Sequence, residues 1–240
     1  MIGFYDYTVI LTYLGFASGV FGILMAISGH PIIAILALMF SGLCDMFDGK
    51  VARTKKKRTK EEKNFGIQLD SLSDLVCFGV LPAVIGYQIG ISKSYLVPLI
   101  IFYPLAGLIR LAYFNMLETM RDGDGPVKEY VGLPITSAAL IFPFIFIFKK
   151  LLGKYFVLVY GILLFVVGML FISKIKIKKP KTKHMIMMIL VGVLEILLIL
   201  TVKRFLWYII VGKEIVKKIL LQSLARLLIF CMELFLVDVF

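Results

Sequence analysis

Stretches of 17 or more residues with few or no charges recur along this 240-residue chain. A helix that is apolar all round belongs in lipid or deep inside protein, whereas a surface helix keeps a polar face. Of all residues, 60% are hydrophobic, against about 45–50% in a soluble domain. A single water-soluble core is therefore excluded. The apolar segments are also unlike the short, alternating ones of a membrane barrel. The expected fold class is all-α: a polytopic membrane helical bundle with no separate soluble domain.

Seven spans are expected within residues 1–202. They run from about Tyr7 to Ile27, Ile32 to Ala52, Phe65 to Tyr87, Tyr95 to Leu117, Leu133 to just before Lys149, Tyr155 to Ile172 and Met185 to Val202. Gly29, His30 and Pro31 mark one turn, and the stretch from Arg121 to Pro126 carries turn chemistry. A basic loop is expected from Arg53 to Lys63. Residues 203–240 form an apolar, helix-like extension of unknown role that either crosses the membrane or lies on it. No Lys or Arg precedes Lys50, so the first span lacks the basic flank of a cleaved signal and is expected to be retained. Cys44, Cys77 and Cys231 sit in apolar runs without a Cys-x-x-Cys and are expected to stay reduced. His30 and His184 fall at span edges, far apart in the chain, and read as interfacial residues.

The positive charges give an orientation. Counting Lys50, at the end of span two, with the loop that follows it, the segments after spans two, four and six carry 8, 2 and 6 Lys/Arg, or 16 together. The opposite loops carry 4, namely Lys93, Lys149, Lys150 and Lys154. By the positive-inside rule the first set is cytoplasmic, and so is the N-terminus. A bacterial cytoplasmic membrane is the expected location. The basic loops read as topology signals and attractors of anionic lipid, and no nucleic-acid partner is expected.

Chemistry concentrates where span two ends and span three begins. Residues three and four apart share one face of a helix. Asp45, Asp48, Gly49 and Ala52 thus line one face of the second helix, and Gly66, Asp70, Ser73, Asp74 and Cys77 line one face of the third. A single acid at mid-membrane costs about 2.5–3.5 kcal/mol on insertion scales, and four clustered acids repel one another as well. Divalent cations account for the clustering. Oxygen-only ligands suit Mg²⁺ or Mn²⁺, and two ions could be shared among four carboxylates. Gly49 and Gly66 would let a phosphate approach the backbone, and Arg53 would offer it a fork of donors.

These residues resemble the signature of the CDP-alcohol phosphotransferases, Asp-x-x-Asp-Gly-x-x-Ala-Arg followed by Gly-x-x-x-Asp-x-x-x-Asp. All eight defined positions match: Asp45, Asp48, Gly49, Ala52, Arg53, Gly66, Asp70 and Asp74. Twelve residues separate Arg53 from Gly66, where about eight is usual for the family, and the excess falls in the basic loop. The contexts Asp70 to Asp74, Phe78 to Ala83, Arg110 to Asn115 and Gly132 to Ile135 are similar to the phosphatidylserine synthase branch. So is the stretch Ser173 to Pro180. The resemblance covers about residues 7–200 and implies a six-helix core, with one or two further C-terminal helices.

The resemblance also implies a reaction. CDP-diacylglycerol would bind against Asp45, Asp48, Gly49, Ala52, Arg53 and Gly66. Asp45, Asp48, Asp70 and Asp74 would hold two divalent ions. Asp74 would deprotonate the acceptor hydroxyl, or accept its proton after a metal has acidified it. The acceptor oxygen would attack the β-phosphorus and CMP would leave. With L-serine as acceptor, its carboxylate would need a cation, for which Arg110 is the first candidate, and Asn115 is a second serine-binding candidate. The family is commonly dimeric, so a homodimer is expected. Two other readings stay open on the residues alone. One is the same chemistry with glycerol 3-phosphate or an inositol phosphate as acceptor. The other is a divalent-cation transporter, against which stand the missing second acidic span and the position of the cluster at one face.

Overall fold

The computed structural model describes residues 3–93, 95–119, 129–178 and 182–210. Nearly all of it is helix. A 3₁₀ turn at Tyr7–Val9 leads into α1 (Ile10–Ile27), and α2 (Pro31–Ala52) follows with proline in its first turn. There the missing N–H costs nothing. Next come α3 (Lys60–Asp74), a π-helical segment Leu75–Val80, and α4 (Leu81–Gln88), which together make one long rod. The rest are α5 (Val97–Thr119), α6 (Ala138–Ile147), the short α7 (Lys149–Leu152), α8 (Phe156–Phe171) and α9 (Thr182–Ile210).

Six of the described helices are long and apolar enough to cross a membrane: Tyr7–Ile27, Pro31–Ala52, Lys60–Gln88, Val97–Glu118, Lys149–Phe171 and His184–Thr201. The polytopic helical expectation therefore holds. The fifth expected span is the exception. It is a shorter apolar helix, Ile135–Ile147, about 20 Å long at 1.5 Å per residue, which is less than the bilayer core. Ala138, Ala139 and the run from Phe142 to Ile147 are buried, because α2 and α9 pack against this helix. A helix wrapped in protein need not match the lipid thickness.

The third helix also starts earlier than expected. Thr59 Oγ1 accepts from Glu62 N, and the Glu62 carboxylate accepts from Thr59 N, both at 3.2 Å. This capping box satisfies two orphan donors, so the helix begins at Lys60 and shortens the basic loop. Further along, α9 runs through Val202 to Ile210 without a break. The remainder of the C-terminal extension, with Cys231, lies outside the described residues, as does the turn from Arg121 to Pro126.

One element was not expected. Residues Glu129–Val131 (β1) pair antiparallel with Lys176–Lys178 (β2). This ribbon joins the loop after α5 to the loop after α8, so both lie on one side of the bundle. Gly132 ends it at φ 76°, and a Cβ there would meet the Phe171 carbonyl. Only glycine fits that turn.

Small residues bring the site helices close, as in membrane bundles generally. The Gly15 carbonyl of α1 accepts from Ser41 Oγ of α2 at 2.8 Å and from Cys77 Sγ of the π segment at 3.4 Å. Three helices thus meet at one carbonyl. The π segment has its own cause. Pro82 has no N–H to give the Phe78 carbonyl four residues back, and the Tyr103 hydroxyl of α5 donates to that carbonyl at 2.8 Å instead. Leu81 N reaches back to Val76 O, five residues away. Below this level the core is aromatic. Tyr103 packs on Phe142 at 5.4 Å, and Phe142 on Tyr160 at 5.2 Å between ring centroids.

Candidate active site

The two acidic faces read from helical spacing do face each other. One carboxylate oxygen from each of Asp45, Asp70 and Asp74 lies within 4.8 Å of the others. Asp48 lines the same cavity, is buried, and accepts from Thr12 Oγ1 of α1 at 3.1 Å. It stands in contact with Asp70, as Asp45 does with Asp74. The four acids thus form two cross-helix pairs, and three of them converge on one point. Ser41, Ser73, Gly15 and Cys77 line the cavity beside them, with Leu11 and Phe78 as its apolar walls. The room among them is on the scale of a single water or small ion.

Electrostatics says what such a cavity wants. Among the described residues none of the four aspartates forms an ion pair. Carboxylates this close repel, and their desolvation is costly unless charge is supplied. The donor set is oxygen only, which fits a hard divalent cation and not a soft one. The volume, the convergence and the donor chemistry all fit a metal ion, with Asp45, Asp70 and Asp74 as the tightest group.

The other expected residues fall around this centre. Gly49 is half-buried on α2, and the Arg53 guanidinium lies near it, with Nη1 at 3.8 Å from where a Cβ would stand. Arg53 itself is exposed at the end of α2, and Ala52 is half-buried. Gly66 sits one turn before Asp70, and its open face is covered by the side chain of Arg58. From α5, Arg110 is half-buried and acts electrostatically on Asp45. Asn115 accepts from Ser71 Oγ at 2.7 Å and donates to Gln68 at 3.3 Å, bridging α5 to α3.

Four residues were missed from the sequence. Thr12 and Ser41 are ordinary polar residues in apolar spans, and nothing in their spacing marks them. Arg58 was one of several cations in a loop. Glu195 of α9 is buried far along the chain from the signature, and its Oε2 meets no donor among the described residues.

A clasp holds the outer end of the site. Lys55 donates to Asp6 at 2.7 Å and to Glu62 at 3.0 Å. The Asp6 carboxyl is held down from an ordinary 3.8 to about 2, first by the Lys55 hydrogen bond and then by Thr8. Lys55 is raised in turn, by Asp6 and then by Glu62. Phe4 stacks edge-on against Phe65 at 5.6 Å. The segment before α1 is thereby fastened to the loop and to the start of α3.

The sequence agrees with this geometry. Over 153 residues the chain is 36% identical to a yeast (Saccharomyces cerevisiae) protein named CDP-diacylglycerol–serine O-phosphatidyltransferase, covering 60% of this chain and 54% of that one. A Methanocaldococcus jannaschii protein of the same name is 38% identical over 146 residues, covering 61% and 64%. An archaetidylserine synthase of Methanothermobacter thermautotrophicus is 34% identical over 171 residues, covering 70% and 67%. The chain thus spans about half to two thirds of the length of these curated relatives. Residues 8–172, which hold both acidic helix faces and α5, match the family described as CDP-alcohol phosphatidyltransferase, and the chain belongs to that family.

Proposed function

We propose that the chain transfers the phosphatidyl group of CDP-diacylglycerol to L-serine, releasing CMP. The observation that carries the reading is the convergence of Asp45, Asp70 and Asp74 within 4.8 Å at the family's own signature positions. The choice of serine rests on the names of the relatives.

In this reading Asp45, Asp48, Asp70 and Asp74 hold two divalent ions, Mg²⁺ or Mn²⁺. Bound there, such ions would neutralise a diphosphate and stabilise the attacking and leaving oxygens. The donor lies against Asp45, Asp48, Gly49, Ala52, Arg53 and Gly66. Asp74 accepts the proton of the serine hydroxyl. The serine oxygen bonds to the β-phosphorus, the bond from that phosphorus to the bridging oxygen breaks, and CMP leaves with the electron pair. Arg110 takes the serine carboxylate, and Asn115, on the α3-facing side of α5, holds the acceptor from that side. The Asn115 position is supported by its bonds to Ser71 and Gln68, one residue either side of Leu69 and Asp70.

The domain is read as residues 1–202, with 203–240 as an appended apolar segment. The chain works as a homodimer in a bacterial cytoplasmic membrane, with the site on the cytoplasmic side. The 16-to-4 charge bias supports that side. The β1–β2 ribbon and the Lys55–Asp6 pair support its internal logic, because they join on one face the loops that the bias groups together.

An acceptor screen tests the reading. The full chain in detergent, with Mg²⁺ or Mn²⁺ and CDP-diacylglycerol, is given serine, glycerol 3-phosphate or inositol phosphate, and CMP is measured. CMP is expected with serine. No release with serine, or faster release with a phosphorylated acceptor, overturns the assignment. Arg110→Ala should raise the KM for serine well above its effect on the donor KM.

A further inference from the structure

The basic loop between α2 and α3 divides its charges unequally. Lys55 spends its ammonium on Asp6 and Glu62. Arg58, three residues on, is half-buried and forms no ion pair among the described residues. Among the described residues its guanidinium donates from Nη2 to the Glu62 carbonyl at 3.2 Å. Its Nε is sealed from solvent and meets no acceptor among the described residues. A guanidinium has five N–H donors in a fixed fork, so most of this one's capacity is uncommitted.

Its position gives that surplus a meaning. The guanidinium lies against Gly66, with Nη2 at 2.9 Å from where a Cβ would stand. Gly66 is one helical turn from Asp70 on the same face of α3. The site therefore has an acidic floor, fit for cations, and on its rim a cation that no anion among the described residues pairs with. A ligand that bridges the two must be anionic and must reach both. A nucleoside diphosphate has that form, with one end on the metal-binding acids and a phosphate oxygen free for the rim.

We propose that Arg58 is a donor-binding residue whose guanidinium takes a phosphate oxygen of the CDP moiety over the face of Gly66. This rests on the donor assigned above and adds a residue outside the eight-position signature. It also gives Gly66 a second reason to lack a side chain: any Cβ there would push the guanidinium aside.

The test is equilibrium binding of CDP, the soluble head of the donor, to the detergent-purified full chain with Mg²⁺ and no acceptor. Arg58→Gln keeps a donor for the Glu62 carbonyl but loses the charge, and should weaken CDP binding roughly tenfold or more. Arg58→Lys should recover part of this, since an ammonium keeps the charge without the fork. Gly66→Ala should match Arg58→Gln, and the double variant should lose little more than either. In turnover, Arg58→Gln should raise the donor KM while the serine KM moves less than about twofold. If Arg58→Gln binds CDP within about twofold of the parent, Arg58 does not bind the donor. A lower melting temperature with unchanged CDP affinity likewise assigns it a structural role only. A parent chain that binds no CDP at all overturns the donor assignment itself, which is a different result.

Discussion

Two groups of acids in this chain lie within a few helical turns of each other and are treated oppositely. At the outer end of the site, Asp6 and Glu62 share Lys55 at 2.7 and 3.0 Å. Inside, Asp45, Asp70 and Asp74 bring oxygens within 4.8 Å of one another, and no described lysine or arginine pairs with them. The clasp is complete in itself, because the chain supplies its own counter-charge. The cavity is complete only when something else brings charge to it. In the reading proposed above, residues of the same type are structural in one place and binding groups in the other, and what separates them is the direct ion pair with Lys55, which Asp6 and Glu62 have and the cavity acids do not.

That contrast can be broken most sharply at Asp74. Asp74→Asn should lower turnover by about 10²–10⁴-fold, the usual worth of a positioned general base, while CDP binding survives. Without divalent ions the variant should melt no lower than the parent, since it removes one of four crowded carboxylates. A clear loss of stability, or near-parental turnover, would contradict the contrast.

Divalent ions give the next effect. Mg²⁺ or Mn²⁺ at about one hundred times its Kd should stabilise the parent by about 2.7 kcal/mol, read as a rise in melting temperature. Asp70→Asn should lose most of that rise, and Asp6→Asn should keep all of it. Equal shifts in all three proteins would mean that the ions act elsewhere.

The smallest effect belongs to the clasp. Asp6 is depressed from 3.8 to about 2 in the folded chain, so its contribution is present above about pH 4 and is lost as the pH falls towards 2. Melting temperature should therefore slope downward across that window in the parent and slope less in Lys55→Ala. The exposed geometry keeps the difference small. Parallel slopes would remove Lys55 as the cause.

Much of the site was legible because it is local. Asp45 and Asp48 are three apart, Asp70 and Asp74 are four apart, and helical pitch alone puts each pair on one face. The early start of α3 was also legible in principle, since Thr59-x-x-Glu62 is a capping box, but the run of charges around it reads as loop. The β1–β2 ribbon was not legible. Three-residue strands 45 or more positions apart carry no periodic signal, and they pair only because α5 and α8 end side by side. The shortness of α6 was equally hidden, because hydropathy does not distinguish a helix buried in protein from one bathed in lipid.

The sequence by itself determined the solvent, the helical class and the two carboxylate faces, since each follows from composition or from the pitch of one helix. Only the tertiary structure decided that Thr12 reaches Asp48 and that Gly15 offers one carbonyl to two other helices. It alone also placed Arg58 over Gly66 and not over an acid. The physical reason is range. Pitch acts over four residues, whereas these contacts depend on how closely small side chains let separate helices approach.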